Sequence, residues 1–193
     1  MNAIDHNARK ILDFWFGTGE DYGNSHARWF RKDEIFDAQC RTQFAAVYET
    51  AAAGGFAHWQ QQAHESLALI VLLDQLPRNM LRGTGRAFAT DALALAQSCA
   101  ALARGVDREL LPVERQFIYL PLEHSEVLAD QDRCLALMHE LAAFTETREL
   151  HVWAEKHRVI IQRFGRFPHR NAILGRVSTA AEIEFLNEPG SGF

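Results

Sequence analysis

The chain has 193 residues, 48% of them hydrophobic and 23% charged, and a formal net charge of −5. This is globular composition, and the longest apolar run, Leu67 to Leu73, falls far short of the ~20 residues that a membrane-spanning helix needs. The acidic balance argues against nonspecific nucleic-acid binding by the molecule as a whole, though not against a local basic patch, and the length suits a single domain over 1–193.

In chain order, Asp5 is suited to cap a first helix running through Ile11-Leu-Asp-Phe-Trp-Phe16 to a stop at Gly17. Residues 17–32, rich in Gly, Asn and Ser, read as a loop anchored by Trp29 and Phe30. Asp33 starts a second helix with Phe36, Cys40, Phe44 and Val47 at helical spacing, ending at Gly54-Gly55. A third, from about Phe56, carries the apolar run and is expected to break near Pro77. The Ala- and Leu-rich stretch Phe88 to Ala103 stops at Gly105, and Pro112 fits the first position of a helix ending before Pro121. Glu123 to Phe144 reads as one broken helix or two. Glu149 to Phe164 is a strong helix with Gly165 at its C-cap, Pro168 opens a short helix ending at Gly175, and Thr179-Ala-Ala-Glu182 is a capping box.

No segment alternates with a period of two between hairpin turns, so the expected class is all-α. The pattern suggests an array of about nine helices with short connections, as in a bundle or an α-solenoid. Cys40, Cys99 and Cys134 are too scattered for a disulfide framework and read as reduced core residues. The N-terminus has neither the basic nor the apolar region of a secretion signal, so a cytoplasmic location is expected.

Charge is distributed unevenly. From Lys156 to Ala181 there are six Lys or Arg and no Asp or Glu, which leaves the rest of the chain at −11. Within this stretch, Arg163-Phe-Gly-Arg-Phe-Pro-His-Arg-Asn171 needs anions, internal or external. Two acidic segments could supply them. In Asp74-Gln-Leu-Pro-Arg-Asn79, Asp74 and Arg78 are spaced to pair across one helical turn. In Tyr119-Leu-Pro-Leu-Glu-His-Ser-Glu126, a helix opening at Pro121 would carry Glu123 and Glu126 in its first turn, while His124 and Glu126 could form an acid–base pair.

Joining the three segments predicts a polar pocket for a small anion. Asp74, Gln75, Arg78, Asn79, His157, Arg163, Arg166, Arg170 and Asn171 are its candidate binding residues. His124, Glu126 and His169 are the candidate catalytic groups. Trp153, His157, Ile160, Ile161 and Phe164 form one helical stripe, which puts His157 on an apolar face. His124, Glu126, His157 and His169 could offer metal donors, but no HxxxH, HExxH or CxxC spacing occurs, so no metal site is expected. The sequence names no cofactor. The competing expectation is a helical scaffold for a protein partner, with the charges sealed inside as a structural network.

Several blocks carry a resemblance. Ile11-Leu-Asp-Phe-Trp-Phe-Gly17, Leu73-Asp-Gln-Leu-Pro-Arg-Asn79, Phe88-Ala-Thr-Asp91, the segment Tyr119 to Glu126, and Arg163 to Asn171 with Leu174-Gly-Arg176 and Ser178-Thr179 resemble the DUF924 family. The resemblance spans nearly the whole chain. It implies an all-helical fold placed with the tetratricopeptide-like superfamily, and no assigned activity or catalytic residues.

Overall fold

The structure, a computed structural model, describes residues 4–192. Among them every regular element is helical: α1 (His6–Phe16), α2 (Glu34–Ala52), α3 (Ala63–Ile70), α4 (Leu76–Met80), α5 (Asp91–Arg104), α6 (Pro112–Glu123), α7 (Leu128–Leu141), α8 (Leu150–Phe164) and α9 (Ala180–Leu186), with short 3-10 turns between them. The expected caps form. Asp5 Oδ1 accepts the Asn7 and Ala8 amides at 2.7 and 3.4 Å, and Asp33 Oδ1 accepts those of Ile35 and Phe36 at 2.9 and 3.1 Å. Such caps typically contribute about 1 kcal/mol each. Thr179 and Glu182 close the capping box on α9, and Gly165 ends α8 in the left-handed conformation, with φ 69°.

The apolar run Leu67–Leu73 is buried on every side, as a helix with no polar face must be. It forms the central rod, packed against α1, α5 and α6. The chain then adds neighbours in order, α6 on α5, α7 on α6 and α8 on α7. At one end of the core, Trp15, Phe16, Trp29 and Phe117 interlock with ring centroids 4.8–6.3 Å apart. A second, small cluster of Ile160, Ile161 and Phe167, backed by Phe164 and Phe185, fixes the C-terminal segment and α9.

Both proline expectations need correction. The central helix does not break near Pro77; α3 and α4 are continuous through one π turn, Val71–Gln75, in which the Leu76 amide donates to the Val71 carbonyl. Pro77 lies in the first turn of α4. The carbonyl four residues before it, which a proline cannot serve, is that of Leu73, and the Thr90 hydroxyl donates to it at 2.6 Å. Likewise α6 does not stop before Pro121 but carries it inside, ending at Glu123. The Ser98 hydroxyl, at 2.5 Å, and the Cys134 thiol, at 3.6 Å, donate to the Ile118 and Tyr119 carbonyls of the turn before it. Glu123 and Glu126 therefore do not share a helix first turn: Glu123 ends α6 and Glu126 lies in the loop to α7. Trp153 departs from its expected stripe and is 51% exposed, with the Lys156 ammonium 4.0 Å from its ring centroid.

Candidate functional site

The π turn changes what its side chains meet. Adding a residue to the turn rotates Asp74 and Gln75 relative to a regular helix, and Asp74 is fully buried there. Its Oδ1 lies 2.8 Å from His124 Nδ1 and 3.3 Å from Arg78 Nη1, and its Oδ2 accepts from Gln75 Nε2 at 2.5 Å. Arg78 also donates to the Asp74 carbonyl at 2.6 Å and grips Asp91, at the start of α5, through both terminal nitrogens at 2.9 and 3.0 Å. Arg170 closes the circuit. Its Nη1 donates to the His124 carbonyl at 3.0 Å and lies 3.6 Å from Asp91 Oδ2. The Phe88 and Phe167 rings, with centroids 4.9 and 4.4 Å from its guanidinium carbon, hold the group in place.

These contacts set the protonation states. Arg78 and His124 hold the Asp74 carboxyl far below the usual carboxylate range, outweighing its burial. Burial and the adjacent Arg78 charge push His124 below its ordinary value, and Asp74 only partly offsets them. The ring is therefore neutral near pH 7. Because Asp74 is ionised and can only accept, Nδ1 carries the proton and Nε2 presents a bare lone pair.

One cleft of about 390 Å³ opens over this network, bordered by Asp91, His124, Glu126 and Arg170, with Phe88, Leu95 and Pro121 among its apolar walls. Two polar atoms at the network's edge have no hydrogen bond to the protein and keep contact with solvent: His124 Nε2 and Arg170 Nη2. Glu126, at the rim, is committed elsewhere. It takes Arg176 through two bonds of 2.7 and 3.0 Å and the Phe167 amide at 2.8 Å, which lowers its pKa. A depression of about 430 Å³ between α1 and α2, lined by His6, Arg9, Lys10 and Asp13, lacks any buried polar group.

Beneath the network lies a second pair. Glu123 Oε1 is 3.3 Å from His157 Nδ1, and the Cys134 thiol donates to Glu123 Oε2 at 3.9 Å. Burial, with the Asp74 charge nearby, pushes Glu123 up to about 8. Burial pushes His157 down to about 3 while its Nδ1 meets the Trp153 carbonyl at 2.9 Å. Both groups are thus neutral at pH 7.

Of the residues singled out from sequence, the fold gathers Asp74, Gln75, Arg78, His124 and Arg170, with Glu126 at the rim and His157 below. The others are elsewhere. Asn79 turns away and donates to Asp37 at 2.9 Å, which Arg82 also holds. Arg163 is exposed, its guanidinium against the Phe164 and Phe185 rings. Arg166 clasps Glu182 on α9 with bonds of 2.6 and 2.7 Å. Asn171 donates to Ser178 at 3.0 Å. His169 packs against Phe167, and burial lowers it to about 4.

The expected pairings also need correction. His124 is oriented by Asp74, not by Glu126, and Glu123 meets a histidine where an arginine was expected. Two anions that neutralise the basic stretch, Asp91 and Glu182, were not singled out as its partners. Each lies in the first turn of a helix, where an acid is already explained by the helix dipole. The only local hint is that Asp91 follows the Phe88-Ala-Thr segment of the resemblance. Among the described residues no group of three or more His, Cys, Asp and Glu side chains is arranged to hold a metal ion.

Fold and site together define an all-helical protein whose polar core, built from Asp74, Arg78, Asp91, His124 and Arg170, opens on one cleft. The chain belongs to the DUF924 family, described as bacterial proteins of unknown function, which it matches over residues 11–190. A solved structure of a protein of unknown function from Agrobacterium tumefaciens is 40% identical and superposes with a TM-score of 0.81. That likeness covers 93% of this chain and 96% of the other. Comparison with the curated proteins finds no match.

Proposed function

We propose that the cleft over Asp91 and His124 binds a small anionic molecule, with Arg170 as its anchor and His124 as the group able to take a proton from it. One observation carries this reading. The network satisfies nearly all its own charge, yet His124 Nε2 and Arg170 Nη2 are left to solvent at the same cleft. Asp74 fixes the ring so that its lone pair is available, an arrangement suited to a general base. Arg78 and Asp91 hold Arg170 and His124 in register. Glu126 positions the rim through Arg176.

The molecule is further proposed to be one domain over 1–193 of tetratricopeptide-like type, acting in the cytoplasm. A hydrophobic core continuous from α1 to α8, short interhelical connections and three free cysteines support those readings. Among the described residues no helix is long and apolar enough to cross a membrane.

Isothermal titration of the wild-type chain with 4-methylpentanoate and with inorganic phosphate tests the anion site. At least one should bind in the millimolar range or tighter, and Arg170→Lys, which keeps the charge but loses the planar fork, should weaken binding about tenfold. No binding of either anion would sink the reading. A second reading, a scaffold for a protein partner, draws on Val152, Trp153 and Val159, which are 44–51% exposed on α8. It expects no anion binding at all.

A further inference from the structure

The open atoms of the cleft ask for different things from a ligand. His124 Nδ1 faces the ionised Asp74 and must carry the ring proton, so Nε2 can only accept. A ligand that covers this atom must bring a donor in place of solvent. Arg170 Nη2 can only donate, and Arg170 Nε is buried without a hydrogen bond, so the guanidinium has unmet capacity for an acceptor. A ligand meeting both demands carries an anion and a hydrogen-bond donor, such as a hydroxyl.

The two groups belong to neighbouring side chains: Arg170 Nη1 donates to the backbone carbonyl of His124, the residue whose ring supplies the acceptor, and both residues border the one cleft. Anion and hydroxyl therefore belong on one small molecule. Charge limits the anion. With His124 neutral, Asp74 and Asp91 are balanced by Arg78 and Arg170, and Glu126 by Arg176, so the site has no surplus cation and a second negative charge on the ligand meets carboxylates uncompensated. The apolar walls, Phe88, Ala92, Leu95, Pro121 and Leu174, call for a hydrocarbon tail. At about 390 Å³ the cleft is at the small end of the ~300–1,000 Å³ range of ligand sites.

We propose that the ligand class of this cleft is the monoanion of a short aliphatic hydroxycarboxylic acid, its carboxylate on Arg170 and its hydroxyl donating to His124 Nε2. The inference rests on the anion-site reading above and sharpens it: unsubstituted carboxylates leave His124 Nε2 without a donor, and hydrogen phosphate, which has a hydroxyl, leaves the apolar walls uncovered.

The test compares 2-hydroxy-4-methylpentanoate, 3-hydroxy-4-methylpentanoate, 4-methylpentanoate, 4-methylpentanamide and inorganic phosphate by titration of the wild-type chain. The histidine side-chain nitrogens are followed in parallel by nitrogen-15 NMR. One or both hydroxy acids should bind about two- to tenfold more tightly than 4-methylpentanoate, as one added hydrogen bond gives. That ligand should shift the His124 Nε2 resonance, and the uncharged amide should bind weakest. Equal affinities for 4-methylpentanoate and both hydroxy acids, with Nε2 unmoved, overturn the inference and leave the anion site standing. Binding of phosphate in preference to every carboxylate does the same. No binding of any of the five removes the anion site as well.

Discussion

Asp74 illustrates how one buried carboxylate sets the state of several neighbours. It fixes the His124 tautomer, holds Arg78 beside Asp91, and raises Glu123 beneath it through charge repulsion. Asp74→Asn removes the charge while keeping the shape. Arg78 keeps Asp91 and His124 is neutral, so the loss of the charge-assisted bonds to Asp74 should cost about 1–3 kcal/mol of folding stability, measured by chemical denaturation. Glu123 should at the same time move down from about 8, because part of its upward push came from Asp74. A variant as stable as the wild type would mean that Asp91 alone suffices to hold Arg78.

At the scale of elements, the continuous α3–α4 helix depends on a residue from another helix. Thr90, just before α5, supplies the hydroxyl for the Leu73 carbonyl at 2.6 Å, four residues before Pro77. Thr90→Val keeps the shape and leaves that buried carbonyl without its donor, at a cost of about 1–3 kcal/mol. Because Asp74 and Gln75 lie in the π turn beside it, the same change should also increase hydrogen exchange of the 71–76 amides. Unchanged exchange would show that the π turn stands without the bond. Periodicity and caps made the helices legible in sequence: Asp5, Asp33, Pro112, Gly165 and Thr179 all mark real ends. Pro77 and Pro121 misled because each helix continues past the proline, with side chains of other helices meeting nearby carbonyls.

For the whole molecule, the buried neutral pair predicts an uneven pH dependence. Glu123 loses its proton near its ordinary 4.5 when unfolded but near about 8 when folded, so its contribution to stability falls as pH rises across that interval. His157 has the opposite effect: ordinarily near 6.5 and lowered to about 3, it favours folding more as pH rises through that range. The two oppose each other up to pH 6.5, above which Glu123 acts alone. Stability should therefore decline by about 1–2 kcal/mol between pH 6.5 and 8, and Glu123→Gln should abolish the decline. Denaturation midpoints at the two pH values would decide it; the same slope in both proteins would assign the loss to another group.

The sequence by itself determined the all-helical class, most helix ends, the buried rod Leu67–Leu73 and the need of its basic C-terminal stretch for anions. All of these are written in local spacing, within a few turns of one helix. Tertiary structure alone decided which anion each arginine received: Asp91 for Arg78 and Arg170, Glu126 for Arg176, Glu182 for Arg166, and none of the three for Arg163. It also gave His124 to Asp74, fifty residues away, and left Nε2 facing a cleft. Charged side chains of one type are interchangeable in a linear pattern. Only the packing of apolar faces brings particular helix ends together, and with them particular charges.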